Sequence, residues 1–229
     1  YQDRDLLDGD VVDIGDIELC FGDSAAALES ITQQTRRILA SHKRPFMLGG
    51  EHLVTLGAFR AVAEKFPDVH IIHFDAHADL RDDYLGVPLS HACVMRRCWE
   101  LVGNGRIFQF GIRSGDREEF SWGRTHVRTN RFTFDTLEEV VEQLQGKPVY
   151  FTLDLDVLDP SVFPGTGTPE PGGVSFEELR KAATLVCSKL RIVGCDVNEL
   201  SPHYDQSGAS TAVACKIVRE MLLALETPA

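Results

Sequence analysis

Short apolar segments alternate with longer amphipathic segments along the chain, and this alternation limits the possible folds more than any other feature. Strand-like runs occupy residues 69–74, 107–112, 149–155 and 192–197, and a shorter run covers residues 45–48. Helical periodicity fills residues 25–40, 53–66, 136–145, 175–190 and 209–226. Apolar strands separated by helices are typical of a parallel sheet that is covered on both faces. The sequence therefore predicts an α/β fold with a mainly parallel sheet.

Two of the predicted helices begin at residues that favour a helix N-terminus. Ser175 and Asp135 can each accept a hydrogen bond from the first turn, and Glu178 and Glu138 follow three residues later. This spacing is the pattern of a capping box. We therefore expect Ser175 and Asp135 to be N-caps.

Charge and hydropathy exclude several classes of partner. The chain has 229 residues, 43% of them hydrophobic, which predicts one domain with a sizeable core. It carries 23 Lys and Arg against 35 Asp and Glu, a formal net charge of -12. Runs of basic residues are absent, which argues against nucleic acid and against an anionic membrane surface. No apolar stretch approaches the roughly 18–20 residues of a membrane span.

The cysteines favour a reducing compartment. The sequence has six, none in a C-x-x-C pair and most in apolar segments, so we expect buried, reduced thiols. Because the sequence contains no targeting segment, we predict a cytoplasmic protein. The chain begins at Tyr1 without an initiator Met, so a targeting segment that preceded Tyr1 would lie outside this sequence.

Polar residues that could bind a ligand follow three of the predicted strands. The motif G-G-E-H ends at residue 52, D-A-H-A-D spans residues 75–79, and D-L-D-V-L-D-P spans residues 154–160. Residues spaced by two share one face of an extended chain, and ligands of parallel sheets bind beyond the carboxyl ends of the strands. Six side chains should therefore converge at one edge of the sheet: His52, Asp75, His77, Asp79, Asp154 and Asp156.

A metal centre explains this set better than separate structural roles do. A lone Asp after a strand is usually a turn residue or a helix cap, and a lone His is usually a satisfied polar group. Four carboxylates directed at one place, however, repel each other strongly unless cations hold them. Oxygen-rich ligands with two imidazoles and no thiolate favour Mn²⁺ or a similar divalent ion over structural zinc. Four Asp and two His are too many ligands for one catalytic metal ion. The set therefore predicts two ions that share bridging carboxylates and a bridging water.

These motifs, together with G-T-G-T-P-E-P-G-G at residues 165–173, resemble the signature set of the ureohydrolase family of arginases, agmatinases and related amidinohydrolases. The resemblance runs from about Gly49 to the C-terminal helix. It implies the three-layer α/β/α arginase fold and two Mn²⁺ per subunit at the C-terminal ends of the strands. In the family pattern His52, Asp75, Asp79 and Asp154 hold one ion, and Asp75, His77, Asp154 and Asp156 hold the other.

The resemblance also implies a mechanism. A guanidinium stays protonated at physiological pH, so its carbon needs a strong nucleophile, and two metal ions can supply a bridging hydroxide near neutrality. Glu199, in D-V-N-E-L, matches the family carboxylate that accepts hydrogen bonds from the guanidinium. His91 matches the active-site His, a proton shuttle to the departing amine, and Thr168 would contact substrate. The alternatives are a surface acid for Glu199, a helix-start residue for His91 and a turn residue for Thr168.

Agmatine is the guanidino substrate that the local motifs favour. Arginases follow D-x-H-x-D with a loop containing Asn and Ser that holds the α-amino acid end of arginine, and residues 80–92 lack that pattern. Residues 111–119 and T-P-E-P-G-G also resemble agmatinases more than arginases. The resemblance thus implies that agmatine and water give putrescine and urea, a step of polyamine biosynthesis. A guanidinobutyrase or an arginase remains an alternative.

Two other classes of protein compete with this interpretation. Metallophosphoesterases also use D-x-H and two metals, but they need further motifs such as G-N-H, which does not occur here. A non-catalytic ureohydrolase-like protein would be expected to lose a ligand or part of the attacking apparatus. This chain keeps all six ligands, His91 and Glu199.

The resemblance carries two expectations about the whole molecule. Family members usually begin with a further strand and a loop near the active site, and nothing before Gly49 matches this opening. We therefore expect residues 1–229 to form a single ureohydrolase domain that lacks its N-terminal strand and loop. Family members commonly assemble as trimers or hexamers, which implies a homo-oligomer.

Overall fold

A six-stranded parallel sheet lies at the centre of the described structure, a computed structural model that covers residues 1–7 and 10–226. The strands are β1 (Phe46–Leu48), β2 (His70–Phe74), β3 (Ile107–Ile112), β4 (Arg128–Arg131), β5 (Pro148–Asp154) and β6 (Arg191–Asn198). Their order across the sheet is β1-β6-β5-β2-β3-β4, and every neighbouring pair is parallel. The predicted strands are all present.

Helices cover both faces of this sheet. Those in the described residues are α1 (Ser24–Ala40), α2 (Val54–Lys65), α3 (Val94–Val102), α4 (Arg117–His126), α5 (Leu137–Gln143), α6 (Phe176–Lys189) and α7 (Ala209–Leu225). One hydrophobic core lies under α1, α2 and α3, and a second lies under α5, α6 and α7. Successive residues of β5 enter different cores: Tyr150 packs on Phe59 of α2, and Phe151 lies in the opposite core. Burial on both faces explains the continuous apolar strands, and the predicted three-layer α/β/α fold is confirmed.

The two predicted N-caps have different outcomes. Ser175 caps α6 through a complete capping box with Glu178, as expected. The prediction for Asp135 is wrong, because α5 begins one residue later, with Thr136 as its N-cap and no side-chain cap bond. The Leu137 amide donates to the Phe134 carbonyl, so Asp135 lies inside a turn. Phe134 packs on Phe74, with ring centroids 4.5 Å apart, and this tertiary contact fixes where the turn forms.

Three elements, α3, α4 and β4, lie outside the predicted set. The sequence carries signals for both helices: Val94, Met95 and Cys98 of α3 are buried at helical spacing, and Asp116 and Glu119 form a capping box at the start of α4. The strand β4 has the polar sequence R-T-N-R and forms at the sheet edge by pairing with β3. Only tertiary context makes such a segment a strand.

The strand order creates a crevice between β2 and β5. From β2 the chain continues to β3 and β4 on one side, and it then returns to β5 and β6 on the other. Such a reversal is the topological switch point at which open α/β sheets bind ligands. Phe74 pairs with Leu153, so the next residues, Asp75 and Asp154, lie side by side at this crevice.

The cysteines are free thiols, and four of the six are buried. The expectation of burial is wrong for Cys20 and Cys215, which are exposed. Cys215 lies on α7, where a helix that packs through one face leaves its other face to solvent. Across residues 1–7 and 10–226, no helix has the length and apolar character needed to cross a membrane.

Candidate active site

His52 lies at the centre of a buried cluster of carboxylates at the switch point. Its Nδ1 is 3.2 Å from Asp75 Oδ2, 3.1 Å from Asp79 Oδ2 and 3.3 Å from Asp154 Oδ2. The other ring nitrogen, Nε2, is 2.9 Å from Thr152 Oγ1 in β5. His52 is only 1% exposed, yet its Nδ1 makes no hydrogen bond of acceptable geometry. A buried nitrogen that faces three oxygens in this way is suited to sharing a cation with them.

His77 forms a second cluster beside the first. Its Nδ1 is 2.9 Å from Asp156 Oδ2 and 3.5 Å from Asp75 Oδ1. The main chain holds Asp156, since its Oδ1 accepts from the Ala76 amide at 3.0 Å and its own amide donates to Asp154 Oδ1 at 2.8 Å. Asp75 therefore directs Oδ2 toward His52 and Oδ1 toward His77, and lies between the two clusters.

Asp79 reaches the first cluster through an unusual backbone conformation. Its φ is +55°, in the left-handed region, which costs a non-glycine residue about 1–2 kcal/mol. The Asp79 carbonyl accepts from the amides of Met95 and Arg96 in the first turn of α3, at 3.0 and 3.2 Å. These bonds from the helix N-terminus hold the strained residue in place.

Burial and mutual repulsion disfavour the charged forms of several of these carboxyl groups. Burial, followed by the charges of Asp156 and Asp75, raises the pKa of Asp154 well above its usual range. Burial and the charge of Asp75 also raise the pKa of Asp156, and they raise the pKa of Asp79 to about 7. A divalent cation would relieve this repulsion and allow the carboxylates to stay charged.

The donor atoms fit divalent metal ions. Ligand atoms of His52, His73, Asp75 and Asp79 lie within 4.8 Å of one another, and so do those of Asp75, His77 and Asp156. Asp154 adjoins the first group through its Oδ2. Carboxylate and imidazole donors without a thiolate suit hard or borderline divalent ions. The residues present could therefore hold a metal centre with Asp75 shared between its halves.

Glu199 lies directly beside the first cluster. It follows β6 with φ of +66°, and its Oε1 accepts from the His52 amide at 2.7 Å. Burial raises its pKa. The residue is half-buried, so it does not have the position of an ordinary surface acid. Its second oxygen, Oε2, would lie 3.9 Å from a Cβ placed on Gly167, which brings the 165–173 loop next to this carboxylate.

Thr168 and His91 lie at the rim of the same edge. Thr168 is exposed and donates to Asp156 Oδ2 at 3.4 Å. His91 is the first residue of a 3-10 turn, His91–Cys93. Its amide and its Nδ1 both contact Glu51 Oε1, at 2.7 and 3.2 Å, and its side chain is 42% exposed. The structure thus brings all nine predicted residues to one edge of the sheet.

Two buried residues that support this edge are absent from the sequence-based set. His73 lies two residues before Asp75 on β2, a spacing that places it on the same strand face, and its Nε2 is 2.8 Å from Asp75 Oδ2. Arg113, at the end of β3, donates to the carbonyls of Asp156, Val157 and Leu158. It thereby holds the loop that carries Asp156. The spacing of two from Asp75 is a sequence signal that could have found His73, whereas nothing in the local sequence marks Arg113 as a partner of the cluster.

Comparison with known proteins assigns the chain to a family. The sequence model of the arginase family matches residues 1–224, so the likeness extends N-terminally beyond Gly49. An agmatinase from Bacillus anthracis is 46% identical over 227 residues, covering 97% of this chain and 78% of that protein. A guanidinobutyrase from Pseudomonas aeruginosa is 36% identical over 227 residues, covering 94% of this chain and 71% of its own. A crystal structure from Clostridium difficile, 51% identical, superimposes with a TM-score of 0.91 and covers 93% of this chain and 78% of that one. The chain therefore belongs to the arginase family, as an agmatinase-like ureohydrolase.

Proposed function

We propose that the protein is an agmatinase, which converts agmatine and water to putrescine and urea. The observation that carries the proposal is the position of Glu199, a half-buried carboxylate hydrogen-bonded to the amide of His52. It places one negative group, suited to a guanidinium, directly beside a cluster suited to metal ions. The 46% identity to an agmatinase, against 36% to a guanidinobutyrase, supports agmatine as the substrate.

The proposal assigns two Mn²⁺ per subunit to the six carboxylate and imidazole ligands. His52, Asp79 and Asp154 would hold one ion together with Asp75, and His77 and Asp156 would hold the other with Asp75 and Asp154. The two-sided position of Asp75 supports its bridging role. When bound, such ions supply Lewis-acid chemistry that makes water a nucleophile near neutral pH.

Glu199 would bind and orient the substrate. A guanidinium presents its N–H groups as a planar fork, and a carboxylate accepts two of them in matching geometry. Since Oε1 already accepts from the His52 amide, the position of the carboxylate is coupled to the metal-binding residue. Thr168, on the loop beside Glu199, would also contact the guanidinium.

His91 would handle the proton that the departing amine requires. Collapse of the tetrahedral intermediate breaks the bond from carbon to the alkyl nitrogen, and this nitrogen leaves as a neutral amine only if it gains a proton. Glu51, bonded to the His91 ring, raises the pKa of His91, so the imidazole keeps a proton to higher pH. His91 is also exposed enough to exchange that proton with solvent.

Urea release from a panel of guanidino compounds tests the substrate assignment. With Mn²⁺-loaded protein, we expect agmatine to be hydrolysed with a much higher kcat/KM than guanidinobutyrate or arginine. Glu199→Gln is the matched variant, because it keeps the acceptor for the His52 amide and removes the charge; it should bind Mn²⁺ normally and lose at least tenfold in kcat/KM. Equal or greater turnover of arginine or guanidinobutyrate would reject agmatine as the substrate.

The remaining assignments follow from the same proposal. Production of putrescine would place the enzyme in polyamine biosynthesis, and buried reduced thiols support a cytoplasmic location. The single sheet supports one ureohydrolase domain. A homo-oligomer, a trimer or a hexamer, is proposed from family resemblance, and light scattering of the purified protein would measure it.

A further inference from the structure

His73 occupies a fully buried position between the candidate metal centre and the middle of the sheet. Its exposure is 0%, and both ring nitrogens have protein partners. Nε2 lies 2.8 Å from Asp75 Oδ2, and Nδ1 lies 3.0 Å from Gln109 Nε2. His73 is therefore close enough to the cluster to be a metal ligand. The alternative is that it positions the Asp75 carboxylate through a hydrogen bond.

The sheet register explains how these partners meet. His73 in β2 pairs with Gln109 in β3, and Gln109 pairs with Thr129 in β4. Paired residues on neighbouring parallel strands have side chains on the same face, so the three form a row across the sheet. Hydrogen bonds also connect the side chains of this row, because Thr129 Oγ1 donates to Gln109 Oε1 at 2.9 Å.

The hydrogen-bond directions in this row determine which nitrogen of His73 carries the proton. Gln109 also lies 2.7 Å from the Ala78 carbonyl, which can only accept, so the atom facing it must be the amide nitrogen. That same NH₂ group faces His73 Nδ1, which must therefore accept. In a neutral imidazole the proton then lies on Nε2, which donates to Asp75 Oδ2.

This tautomer excludes a ligand role for His73. To bind a metal through Nε2, the ring would need its lone pair there and its proton on Nδ1. The Nδ1–H would then face the NH₂ group of Gln109, two donors at 3.0 Å with no acceptor between them. Rotating the Gln109 amide would not relieve this donor–donor contact, because the amide oxygen would then face the Ala78 carbonyl, and two acceptors cannot form a hydrogen bond.

We propose that His73 is a positioning residue, which donates from Nε2 to Asp75 and holds that carboxylate with Oδ2 toward His52 and Oδ1 toward His77. The inference rests on the proposed metal-dependent function. An ionised carboxylate has about four acceptor sites, so Oδ2 can accept from His73 and still serve a metal. Without this donor, the His77 amide still donates to Asp75 Oδ1, but Oδ2 loses the hydrogen bond that fixes its direction toward His52.

Two substitutions of His73 separate this role from the alternatives. In His73→Gln the amide nitrogen lies near the position of imidazole Nε2 and can still donate to Asp75. In His73→Asn the shorter side chain reaches Gln109 but not Asp75. His70→Asn is the matched control, since His70 is on the same strand, is half-buried and lies away from the cluster.

The experiment is Mn²⁺ titration of the metal-free proteins by calorimetry, with agmatine kinetics and circular dichroism on the same samples. We expect His73→Asn to lower Mn²⁺ affinity about 10–100-fold. His73→Gln should recover most of that affinity with the same number of bound ions, and His70→Asn should match the wild type. Wild-type affinity in folded His73→Asn would overturn the proposal. Loss of one ion per subunit in His73→Gln would also overturn it, because a ligand role would then be indicated.

A spectroscopic readout covers the case in which His73→Asn does not fold. Nitrogen-15 histidine spectra of the metal-free wild type, with His73 assigned by its absence in His73→Gln, should show the Nε2–H tautomer. An Nδ1–H tautomer would contradict the proposal. If the wild type binds Mn²⁺ but releases no urea from agmatine, the proposed activity fails, while the affinity comparison still tests His73.

Discussion

Glu51 holds His91 at the exposed end of the site through two contacts with one oxygen. The His91 amide donates to Glu51 Oε1, and His91 Nδ1 lies 3.2 Å from the same atom. Hydrogen bonding to Glu51 is the largest influence on the pKa of His91 and raises it, against the opposing effect of burial. The charges of Asp79 and Glu199 raise it further, and the Tyr84 ring packs on its other side.

Glu51→Gln should therefore change the pH dependence of activity. The amide oxygen can still accept from the His91 main chain, but the negative charge is gone, so the pKa of His91 falls. A lower pKa means that the imidazolium is lost at lower pH, so the alkaline limb of kcat/KM should move to lower pH. Rates of urea release measured from pH 6 to 10 provide the check.

Glu64→Gln is the control for this change. Glu64 is an exposed carboxylate that pairs with Arg36 on the surface, so the same charge is removed from a position outside the site. Its profile should match the wild type. An unshifted alkaline limb in Glu51→Gln would show that His91 does not supply the proton.

At the scale of secondary-structure elements, a bulge at Gly111 lets β3 pass close to the loop that follows β5. Gly111 has φ of +85°, and the register of β3 with β4 shifts between Phe110 and Ile112. A Cβ at Gly111 would lie 2.5 Å from Val157 Cγ2 and 3.0 Å from the Asp75 carbonyl oxygen. Glycine is required here both for the backbone conformation and for the close packing against the site.

Gly111→Ala should destabilise the protein by about 2–5 kcal/mol, of which about 1–2 is left-handed backbone strain and about 1–3 is overpacking. Because the crowded atoms include the backbone of Asp75, Mn²⁺ affinity should fall as well. Gly103→Ala is the matched control, since Gly103 has φ of +78° but nothing near its added methyl group. Urea denaturation of both variants measures the difference, and equal losses would show that packing at Gly111 contributes nothing.

The elements also differ in how far local sequence predicts them. Strands β2, β3, β5 and β6 were predicted because burial on both faces requires continuous apolar runs, which are visible without any knowledge of their partners. The local sequence does not predict the polar strand β4, because this segment becomes a strand only by pairing with β3. The prediction for Asp135 is wrong for the same kind of reason, because Phe134 packs on the distant residue Phe74 and α5 begins after Thr136.

At the scale of the whole molecule, the proposed metal centre would link stability to metal binding. The four carboxylates of the proposed ligand set come from the end of β5 and from the loops after β2 and β5, and all are at least 96% buried. Their repulsion opposes closure of the crevice between β2 and β5 when no cation is present. A metal that binds only the folded state stabilises it by mass action.

Chelation with EDTA should therefore lower the thermal stability. With free Mn²⁺ at 100 times Kd, the folded state gains about 2.7 kcal/mol, which corresponds to a rise in Tm of about 5–10 °C for a chain of this length. Differential scanning calorimetry with Mn²⁺ and with EDTA measures the difference. Asp154→Ala should lose both the response to Mn²⁺ and the activity, whereas an Asp154→Ala protein that still bound two ions would reject the bridging assignment of Asp154.

Local sequence patterns are enough to predict the fold class and the types of side chain that gather at the candidate site. Spacing of two along an extended chain predicts that Asp75, His77 and Asp79 share one face, and apolar periodicity requires a covered parallel sheet. In the structure Asp79 reaches the cluster through a left-handed backbone conformation that α3 holds. Tertiary structure decided how these groups are used. The sheet order makes β2 and β5 neighbours, and the register of β2, β3 and β4 assigns His73 to Asp75 through Gln109. The contacts of Gln109 with His73 and Ala78 join residues at least 31 positions apart in the chain, so no local pattern can specify them.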